Sequence, residues 1–251
     1  MATAHSNFAS TLPDALQRCR QCTVRHRAVC GAMDEEQLAK LSAIAHRRKV
    51  PTGQIIMSDQ EPASFFANII SGTIKLTKTT ADGRQQIVGL LFPPDFLGRA
   101  FRRSNPYFAE AASDLEICVF PKDAFERLAG EYPELEHRLF ERALDELDAA
   151  REWMLLLGRK TAEEKVADFL YLLARRSLMT HCDDHATASF ELPLSRADIA
   201  DYLGLTIETV SRQLTRLKTS GVIRLLNNRL IEVPDLDVLS RIAGQDALHP
   251  H

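Results

Sequence analysis

The apolar positions of this 251-residue chain follow two periods, and the change from one to the other divides it. From about Lys49 to Phe120 they come in short β-branched and aromatic runs. Turn signals separate these runs at Pro51-Thr52-Gly53, Ser71-Gly72, Ala81-Asp82-Gly83 and Phe92-Pro93-Pro94-Asp95. Regularly spaced short strands of this kind predict an antiparallel β-roll or barrel, assigned to residues 34–132. No long crossover helices interrupt them, which argues against a doubly wound sheet. From Pro133 the period becomes helical. Residues 133–160 hold few breakers and place Phe140, Ala143, Leu147, Ala150, Met154 and Leu157 at alternating spacings of three and four. That is the stripe of a two-helix dimer seam, flanked by Glu141, Asp145, Glu146, Asp148, Arg151 and Glu152. A helix packed on its own domain would carry a similar stripe. Two alanines in the seam permit close approach but bury little area, so the expected pairing is weak and switchable.

Residues 161–235 read as a second domain. A helix at Glu163–Arg176 carries Val166, Phe169, Leu170 and Leu173 on one face. A polar loop follows through His181-Cys182-Asp183-Asp184-His185, in which Cys182 has no evident role. Ser195 is then a good N-cap with Asp198 three residues on. The helix it starts runs to Leu203, where Gly204 supplies a left-handed stop. Thr206 caps a second helix from Ile207 to about Thr219. Ala200 is small where two helices must cross, and Val210 and Leu214 sit where the second packs on the first. This is the pattern of a helix-turn-helix, with an ordinary helical hairpin as the alternative. Beyond Gly221, residues 222–226 and 229–233 read as a hairpin closed by a two-residue Asn227-Asn228 turn, which is a wing. Residues 236–251 form a tail with a short helix through Leu236, Leu239 and Ile242. The whole is α+β.

Charge refines this picture. The formal net charge of -3 excludes a general basic coat, so DNA binding must rest on a local patch. Arg212, Arg216, Lys218, Arg224 and Arg229 provide one, with only Glu208 opposed to them in that segment. Glu208, Ser211 and Arg212 share a face near the start of the second helix. Arg can grip guanine, Glu can accept from cytosine and Ser can serve either, so this trio can specify bases. Thr206, Thr209, Arg216 and Lys218 are placed to touch phosphate. No apolar run approaches the roughly 18 residues of a membrane span, and no signal peptide opens the chain. A cytoplasmic protein is expected, in which cysteines stay reduced.

Three of the five cysteines lie in residues 1–33, a polar segment without strand or helix periodicity. Cys19-x2-Cys22-x7-Cys30 can converge on one metal centre, and Cys118, in the strand Leu115–Phe120, could complete a tetrad through folding. A tetrathiolate site holds zinc or an iron–sulfur cluster, and spacing does not choose between them. His26 and His46 are further candidate ligands. Nothing pairs a thiol with a positioned base, so catalysis is not expected.

The chain resembles the FNR branch of the CRP/FNR superfamily from near Cys19 through Val233. The resemblance rests on Leu205-Thr-Ile-Glu-Thr-Val-Ser-Arg, Ser71-Gly-Thr-Ile-Lys, Phe108-Ala-Glu-Ala and Leu155-Leu-Leu-Gly-Arg-Lys-Thr-Ala-Glu-Glu. It implies a β-roll sensor domain of the cyclic-nucleotide-binding type, a dimerisation helix and a C-terminal winged helix-turn-helix. It also implies that Cys19, Cys22, Cys30 and Cys118 ligate a [4Fe–4S] cluster, which favours the DNA-binding homodimer until oxygen converts it. Glu208, Ser211 and Arg212 match the base-reading residues for palindromic TTGAT-like sites. The loop at Thr79, Thr80, Gly83 and Arg84 corresponds to a surface that contacts RNA polymerase. Seven residues separate Cys22 from Cys30, which resembles the longer FnrL/FnrN-like form of alphaproteobacteria. The same fold could instead serve zinc or thiol redox, a haem ligand or a cyclic nucleotide. For the last, Arg103-Ser104 is a superficial match whose glycine-rich flank is missing, so no cyclic nucleotide is expected.

Overall fold

The computed structural model describes residues 14–180, 187–227 and 229–245. Its first elements lie where the sequence carried no periodicity. Helix α1 (Asp14–Arg20) and a 3-10 turn at Val29–Ala32 are held by Leu16, Ala28, Val29 and Met33, all buried. Four anchors so unevenly spaced leave no periodic trace. Helix α2 (Glu35–Ile44) starts from a capping box in which Asp34 and Gln37 satisfy each other's backbone N–H groups.

Eight strands follow: β1 (His46–Val50), β2 (Ile55–Met57), β3 (Phe65–Ser71), β4 (Ile74–Thr79), β5 (Gln85–Leu91), β6 (Phe96–Leu97), β7 (Phe108–Ala111) and β8 (Leu115–Pro121). They form two antiparallel sheets in the orders β1-β8-β3-β6 and β2-β7-β4-β5. Ala67, Ile69, Ile74, Leu76, Leu97, Ala109 and Ile117 fill the space between. Gly72, at φ +86°, turns β3 into β4 against β8, where a Cβ would stand 2.3 Å from the Asp114 carbonyl oxygen. Helix α3 (Lys122–Glu131) closes one end, its Phe125 packed on Phe66, Phe96 and Phe120 with ring centroids 5.3–5.5 Å apart. The roll thus matches the expected architecture, with α2 and α3 as additions to it.

Helix α4 (Pro133–Arg159) spans the expected dimerisation helix. Leu135 and Leu156 bury its two ends. Between them Phe140, Leu147 and Met154 are 60%, 43% and 63% exposed, an open apolar stripe that Leu144 and Leu155 join. Leu157 departs from the expected seam, because it packs on the C-terminal core beside Gly204.

Helix α5 (Ala162–Thr180) runs longer than its sequence pattern, and β9 (Ala188–Glu191) then forms a strand in a stretch the sequence left unassigned. Helices α6 (Arg196–Leu203) and α7 (Ile207–Thr219) precede β10 (Arg224–Leu225), β11 (Leu230–Val233) and α8 (Leu236–Ile242). The wing is a three-stranded sheet, β10-β11-β9. In its hairpin Arg224 pairs with Glu232, Leu225 with Ile231, and Leu226 N–H donates to Leu230 at 3.0 Å. The Asn227 side chain accepts from the N–H groups of Arg229 and Leu230. Asn228 and Cys182 lie outside the described residues. One apolar cluster joins the C-terminal domain to Ile87, Phe92 and Ala112 of the roll. No helix among the described residues is long and apolar enough to cross a membrane.

Candidate nucleic-acid interface and thiol site

Local capping builds the reading element. Ser195 Oγ accepts from Asp198 N–H at 3.1 Å, and Asp198 Oδ2 accepts from Ser195 N–H at 3.1 Å. Gly204 takes φ 63° and ψ 43°, letting Leu205 N–H reach the Ala200 carbonyl at 3.0 Å. Thr206 Oγ1 then accepts from Thr209 N–H at 3.2 Å to start α7. Ala200, Val210, Leu214 and Leu217 are buried where the helices cross. Thr206, Glu208, Ser211, Arg212, Arg216 and Lys218 are exposed and Thr209 is half-buried, so every expected DNA-contacting residue has access to solvent. The Glu208 carboxyl is held below its ordinary range by its own backbone N–H and by the Thr206 hydroxyl. It is therefore a fixed anion at the start of the reading face. The basic patch is smaller than the sequence suggested. Arg216 pairs with Glu163 at 3.2 Å and Arg224 with Glu232 at 2.6 Å, while Arg212 and Lys218 make no ion pair among the described residues.

The turn between β4 and β5 is exposed and internally tied. Thr80 and Arg84 close it through a backbone bond of 2.9 Å, Gly83 supplies φ +85°, and Arg84 pairs with Asp82 at 2.8 Å. Thr79 ends the strand that leads into it.

Three of the four thiols lie within residues 19–30 and the fourth is distant in sequence. Cys19 lies in the last turn of α1, Cys30 in the 3-10 turn, Cys22 between them, and Cys118 on β8 between Arg47 of β1 and Asn68 of β3. All are free and half-buried. Burial, then mutual repulsion with the other thiols, pushes Cys30 and Cys118 up to about 12 and raises Cys19 as well. Arg25 opposes this at Cys19 and Cys30, and Arg47 at Cys19 and Cys118, so the thiols share one neighbourhood fringed by cations. Asn68 is only 2% exposed, donates its amide N–H to Cys30 Sγ at 3.9 Å, and has a side-chain oxygen with no partner among the described residues. The sequence reading missed Asn68, since a lone polar residue in a strand carries no local signal. Among the described residues no three or more His, Cys, Asp or Glu side chains are gathered tightly enough to hold one metal ion. His26 is directed elsewhere, into a cleft with Glu134 and His137, and His46 is exposed on the edge strand β1.

The long helix is tied to this region. An Arg142 guanidinium N–H donates to the Arg27 carbonyl, inside the Cys22–Cys30 loop. Glu146, expected at the seam, is exposed at the rim of the cleft between α4 and the roll, where partial desolvation raises its carboxyl and Arg99 opposes that rise. Arg103 and Ser104 are exposed and do not line the cleft of about 570 Å³ between α4 and the roll.

A sensor-type β-roll, a long helix with an open apolar stripe and a winged helix-turn-helix together define a two-domain transcription regulator. Residues 47–132 match the family model for the cyclic nucleotide-binding domain, and 164–242 that for the Crp-like helix-turn-helix domain. The chain is 53% identical over 245 residues to a probable transcriptional activator of Rhizobium leguminosarum bv. viciae, covering 96% of this chain and 99% of that one. It is 46% identical to the transcriptional activator protein FnrL of Cereibacter sphaeroides, over 94% and 96% of the two chains. The solved structure of FixK2 from Bradyrhizobium japonicum superposes with a TM-score of 0.72 at 33% identity, over 82% of this chain and 99% of that one. The chain belongs to the CRP/FNR family and is a DNA-binding transcription regulator, not an enzyme.

Proposed function

We propose that this regulator binds palindromic TTGAT-like sites as a homodimer and answers to oxygen through a [4Fe–4S] cluster on Cys19, Cys22, Cys30 and Cys118. The observation that carries the reading is the shared neighbourhood of Cys118 on β8 with the three N-terminal thiols. Their chemistry fits. Four soft thiolates suit an iron–sulfur centre, and nearby Arg25 and Arg47 suit its negative charge.

When bound, such a cluster supplies oxygen-reactive electron chemistry. The rest falls to the chain. Cys30 and Cys118 are neutral at physiological pH, so loading the site must release protons. Ordering the Cys22–Cys30 loop acts on α4 through Arg142, which lies on the same helix as the open stripe. Two stripes closing on each other would present two recognition helices one DNA turn apart, about 34 Å. Glu152 is exposed on α4 without an ion pair among the described residues, so its charge opposes that closure. The exposed turn at Thr79–Arg84 offers the contact to RNA polymerase. Genes of anaerobic or microaerobic metabolism are the expected targets.

Iron and acid-labile sulfide analysis of protein purified without oxygen tests the reading. It requires about four of each per chain, lost in Cys118→Ser. Stoichiometric zinc, or no metal in a protein that binds its site, would overturn it.

A further inference from the structure

The roll meets α5 through Arg176, which pairs with Asp95 at 3.6 Å and lies over the Phe92 ring at 4.5 Å, and it grips α6 at both ends. In its first turn Asp198 Oδ1 accepts from Lys75 Nζ at 2.7 Å, and the same ammonium reaches Glu110 at 3.1 Å. The other carboxylate oxygen, Oδ2, accepts from Ser195 N–H at 3.1 Å and from Ser195 Oγ–H at 2.6 Å. One side chain therefore both caps the helix and ties it to the sensor domain. At the far end Gln86 Nε2 donates to the carbonyls of Asp201 and Tyr202 at 2.5 and 3.3 Å. Gln86 is on β5 and Lys75 on the neighbouring strand β4, so one sheet supplies both grips. Between them Ile87 packs in the apolar cluster that holds Tyr202 and Leu203. The Lys75 and Asp198 side chains are 16% and 24% exposed, more shielded than the surface pairs on α4. Shielding strengthens the pair.

The grip does not cover the reading face, since Glu208, Ser211 and Arg212 are all exposed. It therefore leaves that face open to DNA. Helix α6 packs on α7, so whatever fixes α6 fixes the recognition helix. The long helix meets the same element through Trp153, stacked on Tyr202 at 5.9 Å and 25°.

We propose that Lys75 and Gln86 are positioning residues for DNA binding, holding α6 and with it the recognition helix at the angle that sets half-site spacing. This rests on the palindromic-dimer reading above.

The test uses full-length protein prepared without oxygen, as wild type, Lys75→Met, Lys75→Arg and Gln86→Ala. Fluorescence anisotropy measures binding to the palindrome, to palindromes one base pair longer or shorter between half-sites, and to an isolated half-site. Emission from Trp153, the single tryptophan, reports the seat of α6 on α4. Lys75→Met should weaken palindrome binding on the order of tenfold, as loss of a charge-assisted hydrogen bond does. It should flatten the spacing preference, shift the emission and leave half-site binding within about twofold. Gln86→Ala should do the same more weakly, and Lys75→Arg should restore binding, since a guanidinium also spans two carboxylates. Wild-type affinity and spacing preference in Lys75→Met would overturn the proposal. So would equal weakening on half-site and palindrome together with a lowered unfolding midpoint, the mark of a merely structural role. A wild-type protein indifferent to the palindrome would defeat the underlying reading instead. The grip is then judged on emission, and an unchanged Trp153 spectrum in Lys75→Met overturns it.

Discussion

Replacing Arg212 by alanine removes an exposed cation from the recognition helix. It stands exposed on α7, on the face of Glu208 and Ser211, and makes no ion pair among the described residues. Folding stability should hold within about 0.5 kcal/mol. A bidentate guanidinium on a guanine edge is worth about 1–3 kcal/mol of discrimination, or about 5- to 150-fold per half-site. In a symmetric dimer both half-sites lose it, so palindrome binding should fall by about 2–6 kcal/mol if the two losses add. Arg216 gives the contrast. It is tied to Glu163 at 3.2 Å and must leave that pair to reach a phosphate. An exposed pair of this kind is worth about 0–1 kcal/mol, which offsets part of the phosphate contact. Arg216→Ala should therefore cost less than Arg212→Ala, and cost it equally for every sequence. Anisotropy titrations at fixed salt, with each half-site base replaced in turn, separate the two patterns. Arg212→Ala should erase preference at one position only. If it keeps full discrimination, or weakens all sequences alike, the assignment of the reading face is wrong.

Four further outcomes follow from particular contacts. Gly204→Ala meets only Leu157 Cδ2, at an unstrained 3.7 Å, so its cost is the left-handed backbone alone, about 1–2 kcal/mol. Calorimetry should show a midpoint lower by roughly 2–8 °C, with Gly204→Asn milder; equal losses for both would count against the backbone explanation. Glu152→Ala should dimerise in air, and a purely monomeric variant by native mass spectrometry would remove Glu152 from the account. Burial pushes the Asp198 carboxyl up, but the Lys75 and Ser195 hydrogen bonds outweigh this and hold it below its ordinary value. The stabilisation is thus complete above about pH 4 and is lost as pH falls through the lower folded value, so Trp153 emission should hold to about pH 4 and shift below it. A shift centred between pH 5 and 7 would exclude Asp198 as its source. Asn68→Leu removes the buried amide N–H aimed at Cys30 and should lower the reduction potential of the loaded site, measured by anaerobic titration. An unchanged potential would reduce Asn68 to packing.

The elements written by local rules were legible in the sequence, and those made by distant contacts were not. Ser195, Gly204 and Thr206 act within four residues of themselves, and α6 and α7 begin and end where they dictate. The open stripe on α4 follows from its spacing, yet Leu157 on the same helix turns to partners in other elements. Strand β9 exists because β11 pairs with it, and its four residues carry no strand signal alone. The cysteines and Arg25 among them were conspicuous, but Arg47 and Asn68 come from strands that only the fold brings beside them. Lys75 and Asp198 stand 123 residues apart, and no periodicity could have joined them.

The central claim is that four thiols couple oxygen to DNA binding through the dimer. It is tested most directly by following one sample of full-length protein, prepared without oxygen and bound to its palindrome, as air is admitted. Visible absorption, anisotropy and mass are recorded together. The account predicts a visible band that decays while palindrome binding and dimer mass fall in step with it. Binding that persists after the band has gone, or a colourless protein that binds as well in air as without it, would contradict the account.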